Sequence, residues 1–404
     1  MLPEGWRETT VGKCLSIMSG YAFKSDDFCD HGVPVIRISN ITDMFDIDLS
    51  NCVYHNDMGK DFSYIAKMYD ALIAMSGATT GKIGIYKNSE IAYINQRVGK
   101  ICINDSIANL KYFFYVLNQN YIQKYILKEA IGGAQPNISN RQISIIKINI
   151  PPLPEQEKIA AILSTWDKAI STTDALLATS RQQKKALMQQ LLTGKRRLPG
   201  FTGEWISRHL SEIGTIYTGI TGKSKEDFGR GKFFIPYTNI FNNASVDINY
   251  LEKVEILDGE CQNVVQYGDI LFTTSSETPD EVGMSSVVLD EIENIYLNSF
   301  CFGFRLHNFC ELSPLYAKFL FRGEVFRKNV IVLAQGATRY NLPKKQFLNI
   351  NISFPPLDEQ RAIAAVLDVA DREIVLLEQK AARLREEKKA LMQQLLTGKR
   401  RVRL

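Results

Sequence analysis

The fourteen residues KKALMQQLLTGKRR occur twice, at 184–197 and again at 388–401, without a single substitution. The copies stand 204 positions apart. The same offset carries PPLPEQEKIAAIL (151–163) onto PPLDEQRAIAAVL (355–367), and all of 151–197 aligns with 355–401 without a gap. Both ends of the repeat agree while the middles differ. A chain duplicated in this way has to bury the same apolar pattern twice.

Each copy reads as one long helix. Pro154 or Asp358 stands where a first-turn proline or a cap belongs, and Glu155 and Glu359 follow, favourable near the positive helix end. No later proline or glycine interrupts before Gly194 and Gly398, which read as C-terminal stops. A seam runs along each copy. In the first it passes through Ile159, Leu163, Trp166, Ile170, Thr173, Leu177, Ser180, Lys184, Leu187 and Leu191. In the second it passes through Ile363, Leu367, Ala370, Ile374, Leu377, Ala381, Leu384, Lys388, Leu391 and Leu395. The steps alternate 4 and 3 throughout, the heptad spacing of a coiled coil. A lone helix cannot bury such a stripe, and the nearest partner is the other copy. The polar seam positions weaken packing but fix register. The competing reading, two ordinary core helices, has to accommodate helices several times the typical length.

Two segments lie between and before the helices, rich in β-branched and aromatic residues, and both read as mixed strand and helix. They echo one another weakly. LPEGW (2–6) answers FTGEW (201–205), and VPVIRISNI (33–41) answers KFFIPYTNI (232–240). MYDALIAMSGATTG answers VQYGDILFTTSSET, and GGAQPNISNRQISIIKINIPPL answers AQGATRYNLPKKQFLNINISFPPL. The expected organisation is a pseudo-twofold tandem: a first globular domain at 1–150, a spacer helix at 151–200, a second domain at 201–354 and a second spacer helix at 355–404. The fold class is α/β in the mixed α+β sense, with two antiparallel coiled-coil helices separating the domains. Two near-identical helices point to the same kind of partner met twice, and two diverged domains to different things read.

Bulk properties exclude several classes. The seven cysteines are scattered with no CxxC pair, which fits reduced thiols better than a disulfide frame or a zinc site, and the four histidines are equally isolated. No apolar run has the ~18 residues of a membrane span, and MLPEGWRETTVGK lacks a signal-peptide core, so a cytoplasmic protein is expected. A net charge of +4 permits nucleic-acid binding without requiring it.

The ordered duplication of IRISNI (36–41), DALIAMSGATTGKIGIY (70–86), GAQPNIS (133–139), the PPLPEQ and PPLDEQ helix starts and the two LLTGKRR helix ends resembles the specificity subunit of type I restriction-modification systems. The resemblance covers nearly the whole chain. It implies that each globular domain is a target-recognition domain for one half of a bipartite, asymmetric site in double-stranded DNA. It also implies antiparallel helices that hold the domains apart, so that their length sets the unread spacer. Two methyltransferase subunits would dock on them, restriction subunits would join, and S-adenosylmethionine would serve the adenine methyltransferase partner, with no cofactor or metal in this chain. At ~1.5 Å per residue, residues 155–192 span roughly 57 Å. That is about 17 base pairs of duplex.

Base edges are read by Arg, Lys, Asn, Gln and small hydroxyls, and phosphates by Lys, Arg, hydroxyls and backbone N–H groups. The candidates in the first domain are Arg37 and Asn40, the loop holding Ser76, Thr79, Thr80 and Lys82, and the loop holding Gln135, Asn137, Ser139, Asn140 and Arg141. In the second domain they are Tyr237 and Asn239, then Thr273, Thr274 and Ser275, then Arg339, Tyr340, Asn341, Lys344 and Lys345. For each the alternative is a turn or a satisfied surface polar group. The basic ends, Lys195–Arg197 and Lys399–Arg401 with Arg403, are candidates for phosphate contact or for solvated helix ends.

GATTGK from Gly77 is not a phosphate loop: three residues, not four, separate its glycines, and Ile83 stands where Ser or Thr is required. IPPL and FPPL lack the Asn or Asp of an amino-methyltransferase motif, and no nucleophile–base or metal-ligand cluster is evident. The chain therefore reads as non-catalytic. The alternatives are a coiled-coil scaffold with two protein-binding domains and a self-sufficient methyltransferase.

Overall fold

The computed structural model describes residues 2–42, 45–130 and 135–403. Gly133 and Ala134, which open the GAQPNIS motif, lie outside the described residues. The chain forms two compact units. One is Met1–Thr173 with Lys380–Leu404; the other is Asp174–Gln379. The boundary therefore cuts through both long helices, which run Leu153–Leu191 and Leu357–Leu395, 39 residues each.

In the first unit, Arg7–Thr10 pairs antiparallel with Lys147–Ile150, which ties the start of the chain to the strand that feeds the first long helix. The main sheet has four antiparallel strands in the order Leu15–Ser19, Val98–Ile103, Ala71–Ala74, Ile83–Ile85. Ala71–Ala74 is buried at every position. Side chains alternate along a strand, so Ala71 and Ile73 enter the main core while Leu72 and Ala74 enter a second one under a five-stranded sheet. That sheet holds Phe28–Cys29, Val53–His55, Val33–Ile36, Ala92–Ile94 and Ile65–Ala66 in order, with one parallel pair. Helices Leu110–Leu117 and Asn120–Ala130 cover the other face.

The second unit repeats the scheme. Ile206–His209 pairs with Asn351–Phe354, and the main sheet runs Gly214–Thr218, Cys301–Leu306, Ile270–Thr273, Ser285–Val287. Ile270 and Phe272 enter the main core and Leu271 the second. The second sheet here has three strands, Glu252–Val254, Phe228–Ile235 and Tyr296–Leu297.

Within each unit the two long helices run antiparallel. In the first, Ile159, Ala160 and Leu163 share the main core with Leu395 and Leu396, while Leu391 and Met392 pack against it. In the second, Ile363, Ala364 and Leu367 share it with Leu191 and Leu192, joined by Leu187 and Met188. Ile159, Leu163, Thr173, Ser180, Leu191, Ile363, Leu367, Ala381, Lys388 and Leu395 are buried. Trp166, Ile170, Leu177, Lys184, Leu187, Ala370, Ile374, Leu377, Leu384 and Leu391 are half-buried.

The two seam lysines are ion-paired. Lys388 reaches Asp167 (2.5 Å) over the rings of Tyr115 and Phe45. Its repeat equivalent Lys184 pairs with Asp371 over Phe319. Ser180 donates to Glu373 (3.3 Å) and Arg181 pairs with Glu378 (2.6 Å).

The motif ends meet. Arg401 sets two nitrogens on Glu155, and Trp6 Nε1 donates to the same carboxylate (3.3 Å). Arg197 grips Glu359 through Nε and Nη2, both at 2.5 Å. Glu155 and Glu359 are almost wholly buried. Arg197 and Arg401 thus clamp the start of the opposite helix.

The adjoining glutamines are staples. Gln156 accepts from Asn109 N–H and donates to the carbonyls of Ile107 and Pro151, each at 3.0 Å. Gln360 accepts from Ser313 N–H (2.9 Å) and donates to Glu311 (2.7 Å) and Pro355 (2.8 Å). Gly194 and Gly398 take φ of +69° and +72°, and each lies against a tryptophan, Trp205 or Trp6. That contact gives the LPEGW and FTGEW echo its physical meaning.

Candidate nucleic-acid interface

In the first unit, three polar segments far apart in sequence converge. Ser76 bridges Asn137; Gly77 N–H donates to the Pro136 carbonyl (2.8 Å) and Ile138 N–H to the Met75 carbonyl (2.9 Å). Thr79 Oγ1 donates to the Ile38 carbonyl (3.1 Å), which draws in the segment after Arg37. Gly77 needs its positive φ, +77°, to make this turn, and a Cβ there would press on Ile38.

The second unit builds the same junction and keeps its serine–asparagine bridge. Ser275–Ser276 pairs with Tyr340–Asn341, Leu342 N–H donates to the Thr274 carbonyl (2.9 Å), and Tyr237 Oη donates to the Ser275 carbonyl (2.9 Å).

The candidate side chains then divide by direction. Asn40 is buried and donates to the Asp48 carbonyl; Asn239 is wholly buried and donates to the carbonyls of Asp247 and Tyr250. Thr80 donates to Gly77, and Thr273 accepts from Met284 N–H. Tyr237 is half-buried, stacked on Phe241, and burial raises its pKa. These five side chains hold loops in shape and do not present free polar groups outward. Arg37 accompanies Asn40 at a 3₁₀ turn, with its Nε buried and unbonded. Lys82 is half-buried.

Ser139 accepts from Gln142 N–H and caps helix Asn140–Ser144, while Asn140 donates to the Ile17 carbonyl (2.7 Å). Gln135, Asn137 and Arg141 are exposed in the first unit, and Arg339, Asn341 and Lys345 in the second. Thr274 and Tyr340 are half-buried. Lys344 is half-buried over the Phe302 ring, and burial lowers its pKa.

A cleft of about 740 Å³ opens in the first unit, lined mainly by Ser76, Gln135, Asn137, Asn140 and Arg141 together with Gln96 and Arg97. Gln96 and Arg97 were not among the sequence candidates. They form the exposed tip of the turn that links Ala92–Ile94 of the five-stranded sheet to Val98–Ile103 of the main sheet, and Arg97 Nη1 donates to Gln135 Oε1 (3.4 Å). The matching tip in the second unit, between Tyr296–Leu297 and Cys301–Leu306, carries Phe300, which is 55 % exposed. The only sequence signal for either was a short polar turn, Asn-Gln-Arg or Asn-Ser-Phe, between apolar runs.

Fixed loops carrying guanidinium, amide, hydroxyl and ammonium groups can contact base edges and phosphates at once. Among the described residues no group of three or more His, Cys, Asp or Glu could hold a metal ion, and no helix is long and apolar enough to cross a membrane.

Known proteins give the arrangement a context. The family model described as type I restriction modification DNA specificity domain matches twice, at residues 3–179 and 202–386. The putative type I restriction enzyme MjaX specificity subunit of Methanocaldococcus jannaschii is 26 % identical over 99 % of this chain and 95 % of its own. The Escherichia coli EcoBI specificity subunit is 23 % identical over 89 % of this chain and 78 % of its own. The crystal structure of a type I restriction-modification S subunit from M. genitalium has a similar fold at 14 % identity, with a TM-score of 0.60 over 98 % of both chains. With two matches that together span most of its length, the chain belongs to the type I restriction modification DNA specificity family.

Proposed function

We propose that this chain is the non-catalytic, sequence-reading subunit of a type I restriction-modification complex. Each unit reads one half of a bipartite, asymmetric site in double-stranded DNA through its converged loops, and the length of the long helices sets the unread spacer. Two adenine methyltransferase subunits dock on it, and restriction subunits join through them. S-adenosylmethionine belongs to the methyltransferase partner.

One observation carries this reading. The same loop junction, a serine bridging an asparagine, recurs in both units on the same strand scaffold, while the outward side chains beside it differ: Gln135 and Arg97 in one, Arg339 and Phe300 in the other. A constant frame with changed tips suits two readers of unlike sequence, since phosphate contacts position a protein and base contacts specify.

The test is footprinting of the chain assembled with its methyltransferase partner. Two protected segments flanking an unread gap are expected. Exchange of residues 1–150 for another such domain should change one half-site and leave the other. A single continuous footprint, or binding indifferent to sequence, overturns the proposal.

A further inference from the structure

The second unit holds an arginine whose guanidinium is fixed from two sides. Arg339 Nε donates to Ser275 Oγ (3.0 Å), and its guanidinium lies over the exposed ring of Phe300, 5.4 Å from the centroid. Ser275 is itself nearly buried and fixed in the two-stranded junction with Tyr340–Asn341. Phe300 is set by its own backbone: its N–H donates to Asn298 Oδ1 (2.9 Å), and its carbonyl accepts from Thr274 N–H (2.9 Å). The plane of the guanidinium is therefore held by one hydrogen bond and one ring. Its two terminal nitrogens make no hydrogen bond within the described residues.

We propose that Arg339 reads a guanine in the half-site of the second unit, donating from both terminal nitrogens to O6 and N7 in the major groove. This rests on the function proposed above. A planar fork with two parallel donors matches the two acceptors of guanine and no other major-groove edge. A phosphate contact needs no such preparation; an untethered lysine or arginine serves it as well. Holding the fork in advance removes the side-chain ordering cost that binding otherwise carries.

The first unit shows the contrast. Gln135 stands at the repeat position of Arg339 and Arg97 at the turn position of Phe300, so arginine and non-arginine have exchanged places. Ser76, the counterpart of Ser275, keeps a buried Oγ with no partner. The two units therefore present their guanidinium from different loops, which is a physical basis for unlike half-sites.

The experiment uses the full chain in complex with its methyltransferase partner and maps every methylated site on genomic DNA. With Arg339→Ala, one G·C pair of the second unit's half-site should become degenerate, with discrimination there falling on the order of 10- to 100-fold. The other half-site should be unchanged. Arg339→Lys, which keeps the charge and loses the fork, should relax the same position, and Phe300→Ala should do so more weakly. A recognition sequence unchanged in all three variants overturns the assignment. So does a loss of affinity uniform across sequences with a shallower salt dependence, which marks a phosphate contact. Either result leaves the wider reading standing, whereas a wild-type complex that methylates without sequence preference removes both.

Discussion

Arg401 sets its Nε and Nη2 on the two carboxylate oxygens of Glu155 at 2.7 and 2.8 Å, across 246 residues of sequence. The repeat reproduces the contact as Arg197 on Glu359. A bidentate guanidinium–carboxylate pair is directional as well as attractive, and each carboxylate sits at the first turn of a helix, where negative charge is favoured. The invariant ends of the duplicated segment are thus two halves of one lock. Arg197→Glu or Glu359→Arg alone should lower the melting temperature by several degrees, because each leaves like charges facing one another. The double exchange should recover part of the loss. A melting temperature indifferent to all three means the lock is ornamental.

The glutamine staples give a second test. Gln156 and Gln360 are fully buried and make three hydrogen bonds each. Gln156→Ala strands a backbone N–H and two carbonyls, at about 1–3 kcal/mol for each group left unsatisfied. Urea unfolding should show a loss of at least about 2 kcal/mol.

Gln156→Glu carries a sign with pH. Burial of the new carboxyl raises its folded-state pKa above its unfolded value. The folded state then binds the proton more tightly, and the variant should gain stability relative to wild type as pH falls from 7 toward 5. A gap that stays constant over that range would mean the carboxylate finds a counter-charge.

Core packing separates the two faces of the helices. Leu163 and Leu367 are completely buried, and their truncation to alanine should cost about 2–5 kcal/mol. Leu376, which is 65 % exposed on the second helix, should tolerate the same change within ~0.5 kcal/mol. Equal losses at all three positions would contradict the assignment of faces.

Loop residues should separate by readout. Lys345→Ala should weaken DNA binding evenly across sequences and lower the salt slope by about one. Asn239→Ala should lower thermal stability through its stranded partners, the carbonyls of Asp247 and Tyr250. Removal of one heptad from the middle of each long helix, ~10 Å at ~1.5 Å per residue, should shorten the tolerated spacer by about three base pairs. An unchanged spacer sinks the ruler.

The long helices were legible because a period is a local property: twenty seam positions declare themselves without knowledge of anything distant. The polar loops were legible as loops, from their Ser, Thr and Asn content. Their convergence was not, since Ser76 meets Asn137 across sixty-one residues and nothing near either announces the other. Direction was lost too. Asparagine after a strand can read an adenine or pin a turn with equal chemical competence, and Asn40 and Asn239 do the latter. Arg97 and Phe300 carry no signal in the sequence, because a three-residue link between strands of two sheets reads like any other turn. Arg197 and Arg401 read as phosphate contacts or solvated ends because their carboxylate partners are more than 150 residues away.

The division of the chain has a consequence for its synthesis. The second unit is one continuous stretch, Asp174–Gln379, whereas the first needs Lys380–Leu404 to finish its core. The portion that leaves the ribosome first is therefore sealed last. At ~5–20 residues per second, Ile159 and Leu163 wait on the order of ten seconds or more for Leu395 and Leu396 to arrive. A nascent chain arrested near residue 350 should show its N-terminal half open to protease. Any truncation that removes the last turns of the second helix should harm the beginning of the protein before its end.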